Sequence, residues 1–163
     1  MNKRVTFLTQ AAVIAALYTV LTLVFAPISY GEVQVRISEA LTVLPFFTPA
    51  AIPGLFVGCL LSNVLGGCVI WDIIFGSLAT LLGAAGAWLL RRNRWLVPIP
   101  TILSNTIIVP LVLRYGYGVN LPLWLEAAAI AAGEIISSYG LGEILISALK
   151  PVRQHLFKPQ QEA

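Results

Sequence analysis

The sequence predicts an all-α membrane protein, a bundle of six transmembrane helices, and three observations carry that prediction. Of the 163 residues, 58% are hydrophobic and only 10% charged, and the mean hydropathy is +0.89. A soluble domain carries about 25% charged residues, so this chain lacks the polar surface to sit in water. Apolar runs of about twenty residues recur along its length, the reach an α-helix needs to cross a bilayer, where a barrel has short alternating strands. The basic residues fall in short clusters between these runs, so the net charge of +3 reads as a topology signal and not as a nucleic-acid surface. With no linker, repeat or composition break, residues 1–163 read as a single transmembrane domain.

The chain opens on the basic MNKRV and an apolar run to Ala26. That run is long for the core of a signal peptide and further spans follow at once, so a retained first helix is expected over about Val5 to Ala26, ended by Pro27. Its pairs Ala11/Ala15 and Ala12/Ala16 are four apart, small residues stacked on one face. From Glu32 to Ile37 polar and apolar residues alternate with period two, which favours an extended segment. A short helix is expected from about Ile37 to Phe47, too short at roughly 1.5 Å per residue to span a bilayer without its flanks. PFFTPAAIPG, with its three prolines, supplies the break that follows.

A third helix is expected over about Ala51 to Leu65, stopped by Gly66-Gly67, and a fourth over about Val69 to Leu90 with Asp72 near its start. Gly76, Thr80 and Ala84, and likewise Ala79, Gly83 and Ala87, make small-residue stripes along the fourth. The fifth runs from about Trp95 to Leu113 with Pro98, Pro100 and Pro110, and the sixth from about Leu123 to Leu149 before a tail holding Lys150, Arg153, His155 and Lys158. Six helices put the basic clusters 3–4, 91–94 and 150–158 on one side, and the positive-inside rule makes that side, with both termini, cytoplasmic. Tyr30, Trp71, Tyr115, Tyr117 and Trp124 then fall at the outer interface, Trp88 and Trp95 at the inner one.

This topology sorts the polar residues by depth. Arg36 and Glu39, Ser62 and Asn63, Asp72, Asn105, Glu126 and Glu134 fall in the outer half or middle, while the inner half offers chiefly Glu143. Polar groups from several spans in one half point to a site open to the outside. Each also has a structural reading. Glu32, Arg36 and Glu39 stand at helical spacings and can pair with one another. Asp72 can cap its helix, and Asn63 and Asn105 can serve as hydrogen-bond glue between helices. Glu126 reads as a surface charge at the water boundary. Glu134 is the sharper case, about 18 Å along its helix, where a carboxylate needs a partner, a shifted pKa or a polar cavity. Glu143 lies nine positions further, about 180° round an α-helix, and is expected to pair with a cytoplasmic base. Cys59 and Cys68 show no metal or redox spacing and read as small buried hydrophobes, so neither metal nor cofactor is expected.

The stretch ISYGEVQVRISEALTVLPFF, followed by GLFVGCLLSNVLG and DIIFGSLATLLGA, resembles the queuosine-precursor transporter family, whose members look like substrate-binding (S) components of energy-coupling-factor transporters. The alanines Ala11, Ala12, Ala15 and Ala16 are similar to the face with which S components contact their coupling subunit. The resemblance implies a six-helix protein of a prokaryotic plasma membrane that captures its substrate from outside. It would dock on a coupling subunit carrying two ATPases, and no nucleotide loop of the type G-x-x-x-x-G-K-[ST] occurs in this chain. The implied substrate is a 7-deazaguanine precursor of queuosine, and the aminomethyl form would be cationic. Arg36, Glu39, Asn63, Asp72, Asn105 and Glu134 are the expected binding residues, with Glu39 or Glu134 reading the donor edge of the ring and Asn63 or Asn105 its carbonyl. A stand-alone secondary transporter using a mid-membrane acid as proton relay is the competing class. A membrane enzyme is disfavoured by the lack of any His/Asp/Ser constellation in the spans.

Overall fold

A ten-residue 3₁₀ helix, Ile37–Phe46, stands at the centre of the bundle where an ordinary α-helix was expected. Pro45 brings no N–H to an α ladder, and Thr42 Oγ1 donates to the Glu39 carbonyl at 2.6 Å, two local features that favour the tighter winding. The geometry matters for reach. At about 2.0 Å per residue, ten 3₁₀ residues extend roughly 20 Å, against about 15 Å for an α-helix. Ser38, Glu39 and the run Leu41–Pro45 are all buried, because helices pack around this element on all sides.

The computed structural model describes residues 2–29 and 35–157. Tyr30, Glu32 and Lys158, and the His155 side chain, lie outside that part, so the expected alternation from Glu32 is described only from residue 35 onward, where Arg36 is extended (φ −94°, ψ 106°). Among the described residues the chain is helical without a strand. The helices around the 3₁₀ element are α1 (Lys3–Val24), α2 (Ala51–Leu65), α3 (Asp72–Leu89), α4 (Arg94–Gly116) and α5 (Leu123–Val152). By length and composition α1, α3, α4 and α5 can each cross a membrane, whereas α2 and the 3₁₀ helix are shorter apolar helices.

The boundaries have local causes. Asn2 caps α1 by accepting from the Arg4 N–H, and the helix ends at Val24, two residues earlier than expected. The ring of Pro27 is incompatible with α-helix continuing through it, so Phe25 leaves helical geometry and Pro27 is taken up in a separate short turn, Ala26–Ser29. α2 stops at Gly66, and Gly67 takes φ +73°, a conformation that glycine adopts without strain.

Close helix approach depends on missing side chains. A Cβ on Gly54 would come within 2.7 Å of the Ala11 carbonyl oxygen, and one on Gly58 within 2.8 Å of Tyr18 Cβ and 2.9 Å of the Ala15 carbonyl oxygen. Gly83 and Gly86 of α3 meet Thr101 and Pro100 of α4 in the same way. The apolar core lies towards the Phe47 end of the 3₁₀ helix, with Leu44, Phe47, Ala51, Leu55, Val97 and Ile146 among its members. The first turns of α1 and the last described residues meet at that same end: Gln10 Nε2 donates to the Leu156 carbonyl, and Phe47 stacks on Phe157 at 5.2 Å. Arg94 pairs there with Glu143 at 2.6 Å, the basic partner expected for that acid.

Two helices loosen into π-helix, at Asp72–Gly76 in α3 and at Ile135–Leu141 in α5. Neither was expected. Each begins at or directly after a buried acid, Asp72 and Glu134, and π segments of this kind concentrate at functional sites.

Candidate functional site

The six expected site residues are all buried, and the fold brings them onto one polar seam along the 3₁₀ helix. Arg36 is 5% exposed, Glu39 1%, Asn63 0%, Asp72 3%, Asn105 4% and Glu134 5%. At the seam's start Arg36 Nη2 stands 3.8 Å from Asp72 Oδ2, and its Nε donates to the Ser29 carbonyl at 3.3 Å. Asp72 Oδ2 also accepts from the Tyr117 hydroxyl at 3.1 Å, which ties the loop after α4 to the start of α3. Burial and the Asp72 charge hold the Tyr117 hydroxyl above its ordinary pKa range, so it remains a donor at neutral pH. Asn63 donates to the Asp72 main-chain carbonyl at 3.2 Å, securing the π segment against α2. Gly76 leaves room for the acid, since a Cβ there would lie 2.6 Å from Asp72 Oδ1.

One 3₁₀ turn further along, Glu39 Oε1 accepts from the hydroxyl of Tyr18, a residue of α1 with no exposed surface. Arg36 and Glu39, three positions apart, thus turn to different helices, Arg36 toward Asp72 and Glu39 toward Tyr18. Across the seam, Asn105 Nδ2 of α4 donates to Glu134 Oε1 of α5 at 2.6 Å. The Glu39 and Glu134 carboxylates are near enough to interact electrostatically, and the Arg36 charge acts on both. A hydroxyl pair, Thr42 and Ser138 at 3.0 Å, closes the seam toward the apolar core.

Several oxygens on this seam have no partner. Glu39 Oε2, Asp72 Oδ1 and Glu134 Oε2 are buried without a hydrogen bond among the described residues. They are acceptors, and Arg36 is the one guanidinium beside them among the described residues, so the seam is suited to a ligand rich in N–H donors or carrying positive charge.

Three expectations need correction. Glu126 is not a surface charge: it is 3% exposed, because it shares the buried stripe Glu126, Ile130, Glu134 that faces the bundle. Cys68 is only half-buried, with Sγ 4.0 Å from Asn63 Oδ1, whereas Cys59 is fully buried as expected. The four alanines of α1 do not act as one face. Ala15 is buried and Ala11 partly so, both against the glycines of α2, while Ala12 and Ala16 are exposed. Tyr18, Thr42 and Tyr117 were missed, although a tyrosine amid apolar helix residues is itself a sign of a buried partner for its hydroxyl.

Buried acids with open oxygens, set between helices long and apolar enough to cross a bilayer, define a multi-pass membrane protein with an internal polar site, the construction of a solute transporter. The chain belongs to the QueT transporter family, whose model matches residues 8–151. It is 41% identical over 73 residues to the queuosine precursor transporter QueT of Lactococcus lactis subsp. cremoris (strain MG1363), a match covering 44% of this chain and 43% of that protein. The match therefore spans less than half the length of that relative. No solved structure matches the chain.

Proposed function

We propose that this protein is the substrate-capture subunit of an energy-coupling-factor importer, taking up a queuosine precursor of the 7-deazaguanine type. Six crossings, made by α1, the 3₁₀ helix and α2 to α5, place both termini in the cytoplasm of a prokaryotic plasma membrane. Basic residues, chain termini and the Arg94–Glu143 pair gathered at one end support that orientation. The seam then opens outward, with Arg36, Asp72 and Tyr117 at its mouth.

The observation that carries the reading is the set of orphaned oxygens on Glu39, Asp72 and Glu134. A buried polar group left unpaired costs about 1–3 kcal/mol, and three along one seam are accounted for by a ligand that satisfies them. Glu39 or Glu134 accepts the ring N–H and amino donors, and Arg36 and Asp72 close over the ring from the mouth. Asn63 holds Asp72 in place, and Asn105 passes its donor from Glu134 to the ring carbonyl as the ligand's own donors take over the carboxylate. Energy comes from partners: a transmembrane coupling subunit, met by the exposed Ala12 and Ala16 of α1, and two ATPases.

The test joins composition to binding. The protein is purified from its native membrane and examined for a co-purifying coupling subunit and ATPases, and 7-aminomethyl-7-deazaguanine is titrated into wild type, Glu39→Gln and Glu134→Gln. Loss of affinity in either variant, with the three-component partner present, is the expected result. Wild-type affinity in both variants removes the site assignment. Uptake that survives loss of the ATPases and collapses with the proton gradient removes the coupling.

A further inference from the structure

Glu126 is the one carboxylate of the bundle interior with both oxygens buried and neither hydrogen-bonded among the described residues. Its position accounts for the burial. Along α5 the residues Glu126, Ile130, Gly133, Glu134, Ser137 and Ser138 are buried, whereas Trp124, Ile135 and Ile136 on the other side are more than half exposed. Asn105, Val109 and Val112 share a buried face of α4, and the Asn105–Glu134 hydrogen bond sets the register between the two helices. The helices are antiparallel, so Glu126, eight residues before Glu134 and about 12 Å along the axis, lies level with the Val112 turn. Five residues beyond Val112, Tyr117 bonds to Asp72. Glu126 therefore stands at the Asp72 and Tyr117 end of the seam, above Glu134, with the apolar Ile130 between them.

Arg36 stands against Asp72, and among the described residues no basic side chain forms an ion pair with Glu126. Glu126 also lies in the first turn of α5, at the positive end of the helix dipole. A buried carboxyl with both oxygens open, about two turns from Glu134 with its one open oxygen, is matched by a primary ammonium.

We propose that Glu126 forms a second anionic subsite that binds the ammonium arm of the substrate while Glu134 and Glu39 hold its ring. The inference rests on the 7-deazaguanine reading and assigns the discrimination between charged and neutral arms to one residue. Ile130 packs against the methylene linker between the two polar ends.

Two probes with the same ring separate the possibilities, 7-aminomethyl-7-deazaguanine with a cationic arm and 7-cyano-7-deazaguanine with a neutral one, each titrated into the purified full chain. Glu126→Gln is expected to lose at least tenfold in affinity for the aminomethyl compound and to stay within about twofold for the cyano compound. Glu126→Asp, which keeps the charge, is expected to recover most of the loss. Equal losses for both probes, or no loss for either, overturn the subsite. Wild-type protein that binds only the cyano compound overturns the subsite and leaves the ring-binding reading intact, while wild type that binds neither overturns both.

Discussion

The Tyr18 hydroxyl of α1 donates to Glu39 Oε1 of the 3₁₀ helix, so the helix that presents Ala12 and Ala16 to the membrane also holds a site carboxylate from behind. One side of α1 thus touches the seam, and the other carries the proposed docking face. On that proposal a shift of α1 is felt first at Glu39, through the Tyr18 hydroxyl.

Tyr18→Phe tests that route. It preserves the ring packing and leaves Glu39 with both oxygens unpartnered, a loss of about 1–3 kcal/mol. Melting temperature in detergent is expected to fall, and ligand affinity to change with it. A variant with wild-type values for both would show that the contact is incidental.

The Asp72 end of the seam is held by a charge contact and a charge-assisted hydrogen bond of different worth. Asp72→Asn removes the carboxylate charge 3.8 Å from the buried Arg36 guanidinium, and disrupting a buried charge pair costs up to about 3–5 kcal/mol. Tyr117→Phe removes one hydrogen bond to the same carboxylate, worth about 1.5–3 kcal/mol. Thermal unfolding of both variants is expected to rank them in that order. Equal losses would mean the 3.8 Å contact contributes little.

The two alanine pairs of α1 are expected to behave differently under substitution. Gly58→Ala drives a methyl to within 2.8 Å of Tyr18 Cβ, and overpacking of this kind costs about 1–3 kcal/mol. Ala12→Leu and Ala16→Leu add bulk to an exposed face and are expected to leave melting temperature and ligand binding unchanged while reducing capture by the proposed coupling subunit. Intact assembly with both leucines present would move the docking face elsewhere on the bundle.

How far the sequence could be read follows from which interactions are local. Long apolar runs are a local property, and the helices fall within a few residues of where hydropathy puts them, α2 at the expected residues. The 3₁₀ and π windings were not legible, since they differ from α-helix by one residue in the hydrogen-bonding partner and leave the hydrophobic pattern nearly intact. The identity of the buried polar residues was legible because charge amid apolar sequence is conspicuous. Their partners were not: Tyr117 reaches Asp72 across 45 positions and Tyr18 reaches Glu39 across 21, contacts that only the tertiary fold creates. Glu126 was misread because its place near a helix start outweighed its spacing of eight from Glu134, although the apolar Ile130 midway between them already marks that stripe as inward-facing.

The Asn105–Glu134 contact permits a test that separates stability from binding. Asn105→Leu removes the donor at 2.6 Å and leaves Glu134 buried without a hydrogen bond among the described residues, at a cost of about 1–3 kcal/mol. Replacing both members by apolar residues removes the unsatisfied group as well, and such replacements are often neutral or stabilising. The double variant Asn105→Leu/Glu134→Leu is therefore expected to melt well above the single variant and near or above wild type. Neither is expected to bind ligand, because the acceptor is either mispositioned or gone. Stability regained with binding still absent marks Glu134 as a group kept in the bundle for its ligand and not for the fold. A double variant no more stable than Asn105→Leu would instead make the pair a structural tie between α4 and α5.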